Sequence, residues 1–392
     1  MLKSQLVMSM YTNPVFEGVA PMQLLADESY MRLALQMAES TQGQTGINPV
    51  VGCVLVYDGR IVGMGAHLQR GQSHAEVQAL RQAAELAQGS TAYVTLEPCD
   101  HQGLTGPCTE QLIQHGVRRV VIAMSDPNPI VAHQGIAKLR AAGIDVEVGV
   151  CEAEARILNE MFHKYVITKL PFVTAKTAST LDGRIASSSG DSQWITSELS
   201  RAYVHTLRHR HQGIMVGVGT VLADDPQLSV RLTVPAIQPV RIIVDSQLRI
   251  PRNARVLQEQ DRQSTILLTT SRALRLHRAE LEARGVQVLT CGDGPQVDLP
   301  LAMRLLGERE IGSILLEGGS RLNGAMLDQC LIDKLILFFA PKIIGGRSSP
   351  MSFDMIGYEH MHEAIAIERM SVNRIGPDLC ITGYPRYTHE RE

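Results

Sequence analysis

A histidine, a glutamate and two cysteines are the side chains in this sequence whose types and spacing point most directly to chemistry. His74 and Glu76 stand in "HAEVQAL", and Cys99 and Cys108 stand near the start and at the end of the stretch "EPCDHQGLTGPC". Two cysteines with eight residues between them, mostly glycine, proline and polar ones, can be a disulfide, a redox pair, buried filler or two metal ligands. The histidine and glutamate upstream favour the last. One imidazole and two thiolates bind Zn²⁺ and cancel its charge, leaving a fourth tetrahedral position for water. The metal brings the pKa of that water to about 7, so a hydroxide nucleophile exists at neutral pH. Glu76 need not be a ligand: two residues beyond His74, it can face the water and carry its proton to a departing amine. H-x-E followed by P-C and a second cysteine is the pattern of zinc-dependent deaminases. His74, Cys99 and Cys108 are therefore the expected zinc ligands and Glu76 the proton shuttle. His101, between the cysteines, is a rival ligand without such a carboxylate partner.

The elements expected around these residues suit that role. "HAEVQALRQAAELAQG" reads as a helix that begins at His74 and stops at Gly89. "TAYVTLEP" reads as a strand, and "CTEQLIQHG" as a helix opened by Cys108. A helix N-terminus stabilises a thiolate. Upstream, Asp27 is an expected N-cap for a helix over "ESYMRLALQMAEST". Asp58-Gly59 marks a hairpin inside "VVGCVLVYDGRIVGMGAH". Strands and helices then alternate to about residue 150, the pattern of a three-layer α/β domain. "EAEARILNEMFHKYVITK" follows as one connecting helix. Strands are expected again near 172–178, 213–218, 240–245, 265–270, 286–290, 312–317 and 334–341, with two more around a Gly-Pro turn at the end.

Composition narrows the class. A chain of 392 residues exceeds one typical core, so two domains are expected, with a boundary near Leu170. A net charge of −3 and 4% aromatic residues supply neither the counterion release nor the base stacking that nucleic-acid binding draws on. No apolar run approaches the length of a membrane span. Seven scattered cysteines, an odd number, suit a reducing cytoplasm better than a disulfide framework. Cys53, Cys151, Cys291, Cys330 and Cys380 read as structural. Residues 1–25 lack periodicity and are expected to be a disordered extension.

In the second half, no G-x-G-x-x-G follows a first strand, so a Rossmann site is not indicated. "LLEGGSRLNGAML" instead places Glu317 and two glycines between an apolar strand and a helix. Backbone N–H groups there can approach a phosphate, although the same stretch also reads as a simple tight turn. "GVGTVLADDP" and "KIIGGR" add to the case for a phosphorylated cofactor.

Taken together, "NPVVGCVLVYDGRIVGMGAH", "HAEVQAL", "YVTLEPCDHQGLTGPC", "DPNP", "KTASTLDGRIA", "GDSQWIT", "GTVLADDP", "VDSQLR", "EGGSRLNGAML" and "APKIIGG" resemble the bifunctional riboflavin-biosynthesis deaminase/reductase family. The resemblance runs from residue 26 to about residue 385. Nucleic-acid and nucleoside deaminases typically have two residues between the cysteines, whereas the gap of eight belongs to this family. Ile47 departs from the family's usual proline. The resemblance implies an α/β chain with a cytidine-deaminase-like three-layer domain over 26–169 and a dihydrofolate-reductase-like domain over 170–392. The implied reactions are hydrolytic deamination of 2,5-diamino-6-ribosylamino-4(3H)-pyrimidinone 5′-phosphate, then NADPH-dependent reduction of its ribosyl group to ribityl.

It also implies residue roles. Asn48 and His67 would hold the pyrimidine; without the resemblance they read as a turn residue and a strand-end histidine. Ala178, Trp194, Thr220, Asp224 and Ser246 would lie near NADPH, with the turn Gly319, Ser320, Arg321, Leu322, Asn323 and Gly324. Ser192, Arg208, Leu228, Arg231 and Glu317 would contact substrate, the arginines through its 5′-phosphate. Lys176 and Asp224 are the candidates for moving the proton that accompanies hydride. Each has a plainer reading: Trp194 as packing, Arg208 as a favourable helix-end charge, Asp224-Asp225-Pro226 as a turn. The expected partner is a small phosphorylated pyrimidine, not nucleic acid or membrane, and a homo-oligomer is expected of an enzyme this size. The competing hypothesis is a nucleic-acid-modifying deaminase with a C-terminal binding module.

Overall fold

Successive side chains of the first strand enter two different cores, and that division sets the layers of the N-terminal half. The computed structural model describes residues 26–101, 106–129 and 131–387; the extension expected over 1–25 lies outside them. Strands β1 (Gly52–Tyr57) and β2 (Arg60–Ala66) meet at Asp58-Gly59, both with positive φ, as a tight two-residue hairpin requires. With β3 (Thr91–Val94), β4 (Arg119–Ile122) and β5 (Asp145–Val148) they form a five-stranded sheet ordered β2-β1-β3-β4-β5. Cys53 and Leu55 of β1 point into a core shared with α2 (Ala75–Ala83), α3 (Cys108–Gln114) and α4 (Gln134–Ala141). Val54 and Val56 point the other way, onto α1 (Asp27–Glu39) and α5 (Glu152–Leu158). Period-2 alternation thus gives the expected three layers.

Two local expectations are corrected. Ala26, not Asp27, is the N-cap of α1. The Asp27 carboxylate is drawn off by Tyr93 Oη (2.6 Å) and by both terminal nitrogens of Arg119 (3.0 and 2.7 Å), a charge-assisted set that outweighs one capping bond. The connecting helix is not continuous either. It breaks at Asn159 into α5 and α6 (Glu160–Thr168). Asn159 Oδ1 accepts the Val50 N–H at 2.9 Å, and its Nδ2 donates to the Val50 carbonyl at 3.0 Å. The side chain thereby satisfies a buried peptide unit just after Asn48.

The second sheet has nine strands in the order β10-β9-β8-β7-β11-β6-β12-β14-β13. In chain order these are β6 (Phe172–Thr180), β7 (Gly213–Gly217), β8 (Val240–Val244), β9 (Thr265–Thr269), β10 (Gln287–Thr290), β11 (Ser313–Leu316), β12 (Lys334–Ala340), β13 (Ala366–Ile375) and β14 (Asp378–Arg386). The seven from β10 to β12 pair in parallel, and β14 and β13 are antiparallel additions. The strands fall where the apolar runs place them, and the last two turn at Gly376-Pro377. Their helices are α7 (Glu198–Arg210), α8 (Val218–Asp224), α9 (Arg275–Glu282), α10 (Leu299–Gly307) and α11 (Ser320–Asp328). Adjacent residues serve opposite faces: Ile242 of β8 packs into one core and Ile243 into the other. Parallel strands of this kind gather ligand sites at their carboxyl ends.

Helix α6 ties the two sheets together. Lys164 pairs with Asp333 and Glu160 with Lys334, each at 2.6 Å, and Tyr165 Oη donates to the Gly307 carbonyl at 3.0 Å. Among the described residues, no helix is long and apolar enough to cross a membrane.

Asn159→Ala would leave the buried Val50 N–H and carbonyl without partners. It is expected to cost about 1–3 kcal/mol in urea unfolding; a change below about 0.5 kcal/mol, the scale of an ordinary surface substitution, would contradict that bracing role.

Candidate functional site

Three separate elements deliver the zinc-type donors. His74 is the N-cap of α2, with extended backbone (φ −67°, ψ 166°), and its ring makes no capping bond. Cys108 is the first residue of α3, and Cys99 follows the buried end of the strand segment that begins with β3. His74 Nδ1 lies 3.2 Å from Cys108 Sγ and 3.5 Å from Cys99 Sγ, and all three donor atoms fall within 4.8 Å of one another. Bonds of about 2.0–2.3 Å in a tetrahedron put neighbouring donors about 3.5 Å apart, so the set fits a zinc ion. His101 is not part of this cluster.

The surroundings are strongly polarised. A hydrogen bond from the Cys108 thiol, helped by His74, pulls Cys99 down to about 4 despite its burial. The same contact and burial push Cys108 up. Glu76, on the first turn of α2, is 3% exposed. Burial and the neighbouring Cys99 charge push its carboxyl up to about 7. Asn48 Nδ2 is 3.4 Å from His67 Nε2, and the His67 ring meets that of His74 edge-on at 5.3 Å. Burial lowers the His67 pKa, which keeps the ring neutral at pH 7. Asn48, His67, His74 and Glu76 therefore share one corner of the first sheet.

A cavity of about 1030 Å³ opens at the carboxyl ends of β7, β8 and β11. That is the upper end of the usual range for ligand pockets and leaves room for a dinucleotide. Of the residues expected near the cofactor, Ala178, Thr220, Asp224, Ser246 and the run Gly319 to Asn323 line it. Lys176, Ser192 and Glu317 line it too. Gly319 is the N-cap of α11 and Gly217 that of α8, and neither N-terminus is capped by a side chain. First-turn N–H groups left open on a cavity suit a phosphate-bearing cofactor.

Other expected residues lie off that wall. Trp194 is 61% exposed, with the Arg201 guanidinium 4.6 Å over its ring. The Leu228 side chain packs in the core, at positive φ, and its carbonyl accepts from Gln263 Nε2 at 2.9 Å. Gly324 faces the Asp354 backbone so closely that a Cβ would collide with it. Arg231 donates its backbone N–H to His205 Nδ1 at 3.1 Å.

Glu317 is the electrostatic hub of this half. Arg208 grips it with two bonds, Nε to Oε1 at 2.6 Å and Nη2 to Oε2 at 3.0 Å, and Lys176 Nζ lies 2.9 Å from Oε2. Burial alone would push the carboxyl up; the attraction of Arg208 and Lys176 overrides it and holds Glu317 well below the carboxylate range. Arg208 Nη1 also donates to the Ser229 carbonyl at 3.1 Å. Nothing in the sequence marked the Lys176–Glu317–Arg208 triad, since its members stand far apart in the chain. Glu97 was missed as well: only its place before Pro98-Cys99 hinted at a role. Its buried carboxylate takes three backbone N–H groups beside the zinc-type cluster.

Known proteins match both halves. Residues 25–124 match the model of the cytidine and deoxycytidylate deaminase zinc-binding region, and residues 171–381 that of the RibD C-terminal domain. The chain is 44% identical over 355 residues to the riboflavin biosynthesis protein RibD of Aquifex aeolicus, covering 91% of this chain and 97% of that one. It is 41% identical over 369 residues to the Escherichia coli protein of the same name, covering 91% and 99%. The solved structure of Acinetobacter baumannii RibD matches with a TM-score of 0.84 at 38% identity, over 93% of this chain and 100% of that one. A Thermotoga maritima structure, described as a diaminohydroxyphosphoribosylaminopyrimidine deaminase/5-amino-6-(5-phosphoribosylamino)uracil reductase, matches at 0.81 and 36% identity, over 92% and 99%.

A depressed carboxylate stabilises the fold above its unfolded pKa and loses that contribution as pH falls. For Glu317 the stabilisation is present above about pH 4.3, the free-glutamate value, and declines below it. Glu317→Gln strands two buried cations and is expected to cost about 3–5 kcal/mol at pH 7. The gap from the parent should narrow when urea unfolding is repeated near pH 3.5. An equal gap at both pH values would rule out this linkage.

Proposed function

The chain belongs to the riboflavin-biosynthesis deaminase/reductase family, and on that footing we propose how its own residues divide the two reactions. The enzyme is bifunctional and depends on zinc and NADPH. It deaminates 2,5-diamino-6-ribosylamino-4(3H)-pyrimidinone 5′-phosphate and then reduces the ribosyl side chain to ribityl, giving 5-amino-6-(5-phosphoribitylamino)uracil. The competing nucleic-acid reading loses its ground, because both halves match this family rather than a deaminase joined to a binding module.

For deamination, His74, Cys99 and Cys108 hold the metal. Zinc, when bound there, acts as a Lewis acid that makes a water molecule nucleophilic at neutral pH. Asn48 and His67 hold and orient the pyrimidine, the neutral imidazole and the amide offering both donor and acceptor atoms. Glu76, shielded from bulk water, takes the nucleophile's proton and delivers it to the departing exocyclic nitrogen. The observation that carries this reading is the donor triangle with a buried carboxylate two residues from its histidine.

For reduction, NADPH supplies hydride to the sugar C1′ when bound. The open N–H groups at the start of α11, from Gly319 to Leu322, would hold its phosphates, with Asn323 and Gly324 setting the packing behind them. Ala178, Trp194, Thr220, Asp224 and Ser246 shape the rest of that site. Arg208 and Arg231 hold the substrate 5′-phosphate, Ser192 and Leu228 border the substrate, and Glu317 accepts from the sugar hydroxyls. The net change replaces C1′–O4′ by C1′–H and O4′–H. Lys176 and Asp224 are the groups for delivering that proton to O4′, and the 2.9 Å contact with Glu317 holds the Lys176 ammonium in place.

The units meet near Leu170, between the end of α6 and the start of β6. The chain works as a homo-oligomer, a reading supported by exposed apolar side chains such as Ile343, Ile356, Met361 and Met370. An odd number of cysteines, scattered along the chain, supports a cytoplasmic location.

Glu76→Ala is expected to abolish deamination while keeping zinc, and Cys99→Ser to lose both. Each should still reduce pre-deaminated substrate with NADPH. Full zinc content and deamination in Cys99→Ser would refute the ligand assignment.

A further inference from the structure

Cys99 hangs between two carboxylates, and both are tied to α4. On one side Glu97, 5% exposed, accepts three main-chain N–H groups from one segment: Asp126 (3.1 Å) and His133 (3.0 Å) at Oε2, and Ile136 (3.2 Å) at Oε1. On the other side Asp100 accepts Thr109 Oγ1 at 2.7 Å and meets Lys138 Nζ of α4 at 2.6 Å. The partners differ in weight. Lys138 is solvent-accessible, and an accessible ion pair holds little. A buried carboxylate taking three N–H groups is a strong tie, because each lost bond would strand a buried donor.

Helix α4 depends on this carboxylate. Its N-cap, His133, is in the left-handed conformation and supplies no side-chain cap. Glu97, more than thirty residues upstream, caps it instead and meets the positive end of the helix dipole. Gly135 completes the joint: it sits against the Pro98 carbonyl so closely that a Cβ would collide. Pro98 is thus pinned by contact and Glu97 by hydrogen bonds, immediately before the ligand.

We propose that Glu97 is a positioning residue for the zinc site: by capping α4 from the Pro98-Cys99 turn, it fixes where the Cys99 sulfur stands relative to His74 and Cys108. The inference rests on the zinc reading above but is separable from it, since it concerns how firmly the metal is kept, not whether it binds. Groups that orient metal ligands typically alter metal affinity about 10- to 100-fold when removed. Glu97→Gln keeps the shape but turns an amide N–H₂ toward backbone N–H groups, so it should loosen the turn without touching a ligand.

The test is chelator competition on the full chain, read as the rate and midpoint of zinc release, with NADPH binding as the check on the second half. Glu97→Gln should purify with zinc but release it about 10- to 100-fold more readily. Gly135→Ala, which pushes on Pro98 from the other side, should shift release in the same direction. Arg119→Ala is the control for plain destabilisation. Arg119 pairs with Asp27, Asp145 and Glu147 at the opposite end of β4, away from Cys99, so its loss should lower the melting temperature without altering zinc release. If Glu97→Gln fails to fold, the comparison of Gly135→Ala with Arg119→Ala decides alone. Zinc release that simply follows thermal stability in all three variants, or parental release from Glu97→Gln or Gly135→Ala, would overturn the proposal. Wholly zinc-free parent protein would instead refute the zinc reading beneath it.

Discussion

Bringing an imidazole and two thiols within bonding range of one point is the constraint on which the N-terminal half is built. Those groups repel as thiolates and gain nothing from burial alone, so the backbone must hold them in place before any metal arrives. The sheet solves this with three chain ends that converge. The N-terminus of α2 brings His74, the exit from β3 brings Cys99, and the N-terminus of α3 brings Cys108. The helix starts add favourable dipoles for anionic sulfur. The place of Glu76 in the first turn of α2 then follows from the position of His74, since both leave the same helix end.

A different electrostatic problem governs the second half. Glu317 is buried, and an isolated buried carboxylate would be protonated. Arg208 and Lys176 reverse that, and they do so at the rim of a cavity whose other walls are helix starts and glycine-rich turns. Positive charge that is already spoken for by Glu317 still leaves Arg208 with a donor to the Ser229 carbonyl. The result is a rigid polar wall rather than a free basic patch, which suits recognition of one phosphorylated sugar better than a long polyanion. The chain's near-neutral balance of charge points the same way.

Much of this was legible in the amino-acid order, for reasons specific to each element. The Asp58-Gly59 turn and the alternating side-chain directions of β1 follow from local φ preferences and period-2 strand geometry, which need no tertiary information. The parallel strands of the second sheet appeared as short continuous apolar runs, as strands covered on both faces do. The zinc set was legible because the pattern H-x-E…P-C…C is local at each piece. What the sequence concealed was long-range and polar. Asp27 looked like a cap because local rules favour it there, yet Arg119 and Tyr93, remote in sequence, claim its carboxylate. Asn159 looked helical until Val50 drew its amide away. Glu97 offered only its place before Pro98-Cys99 and Glu317 its place in a glycine-rich turn, and neither signal told which backbone or cation the fold delivers to the carboxylate.

The account turns on the identity of the atoms around the metal. X-ray absorption at the zinc edge of the purified full chain measures them directly, without a substrate and without relying on turnover. The predicted spectrum has two sulfur scatterers at about 2.3 Å and one imidazole nitrogen at about 2.0–2.1 Å, with a single further light atom. A shell of four sulfurs, or one of nitrogen and oxygen alone, would contradict the assignment of His74, Cys99 and Cys108.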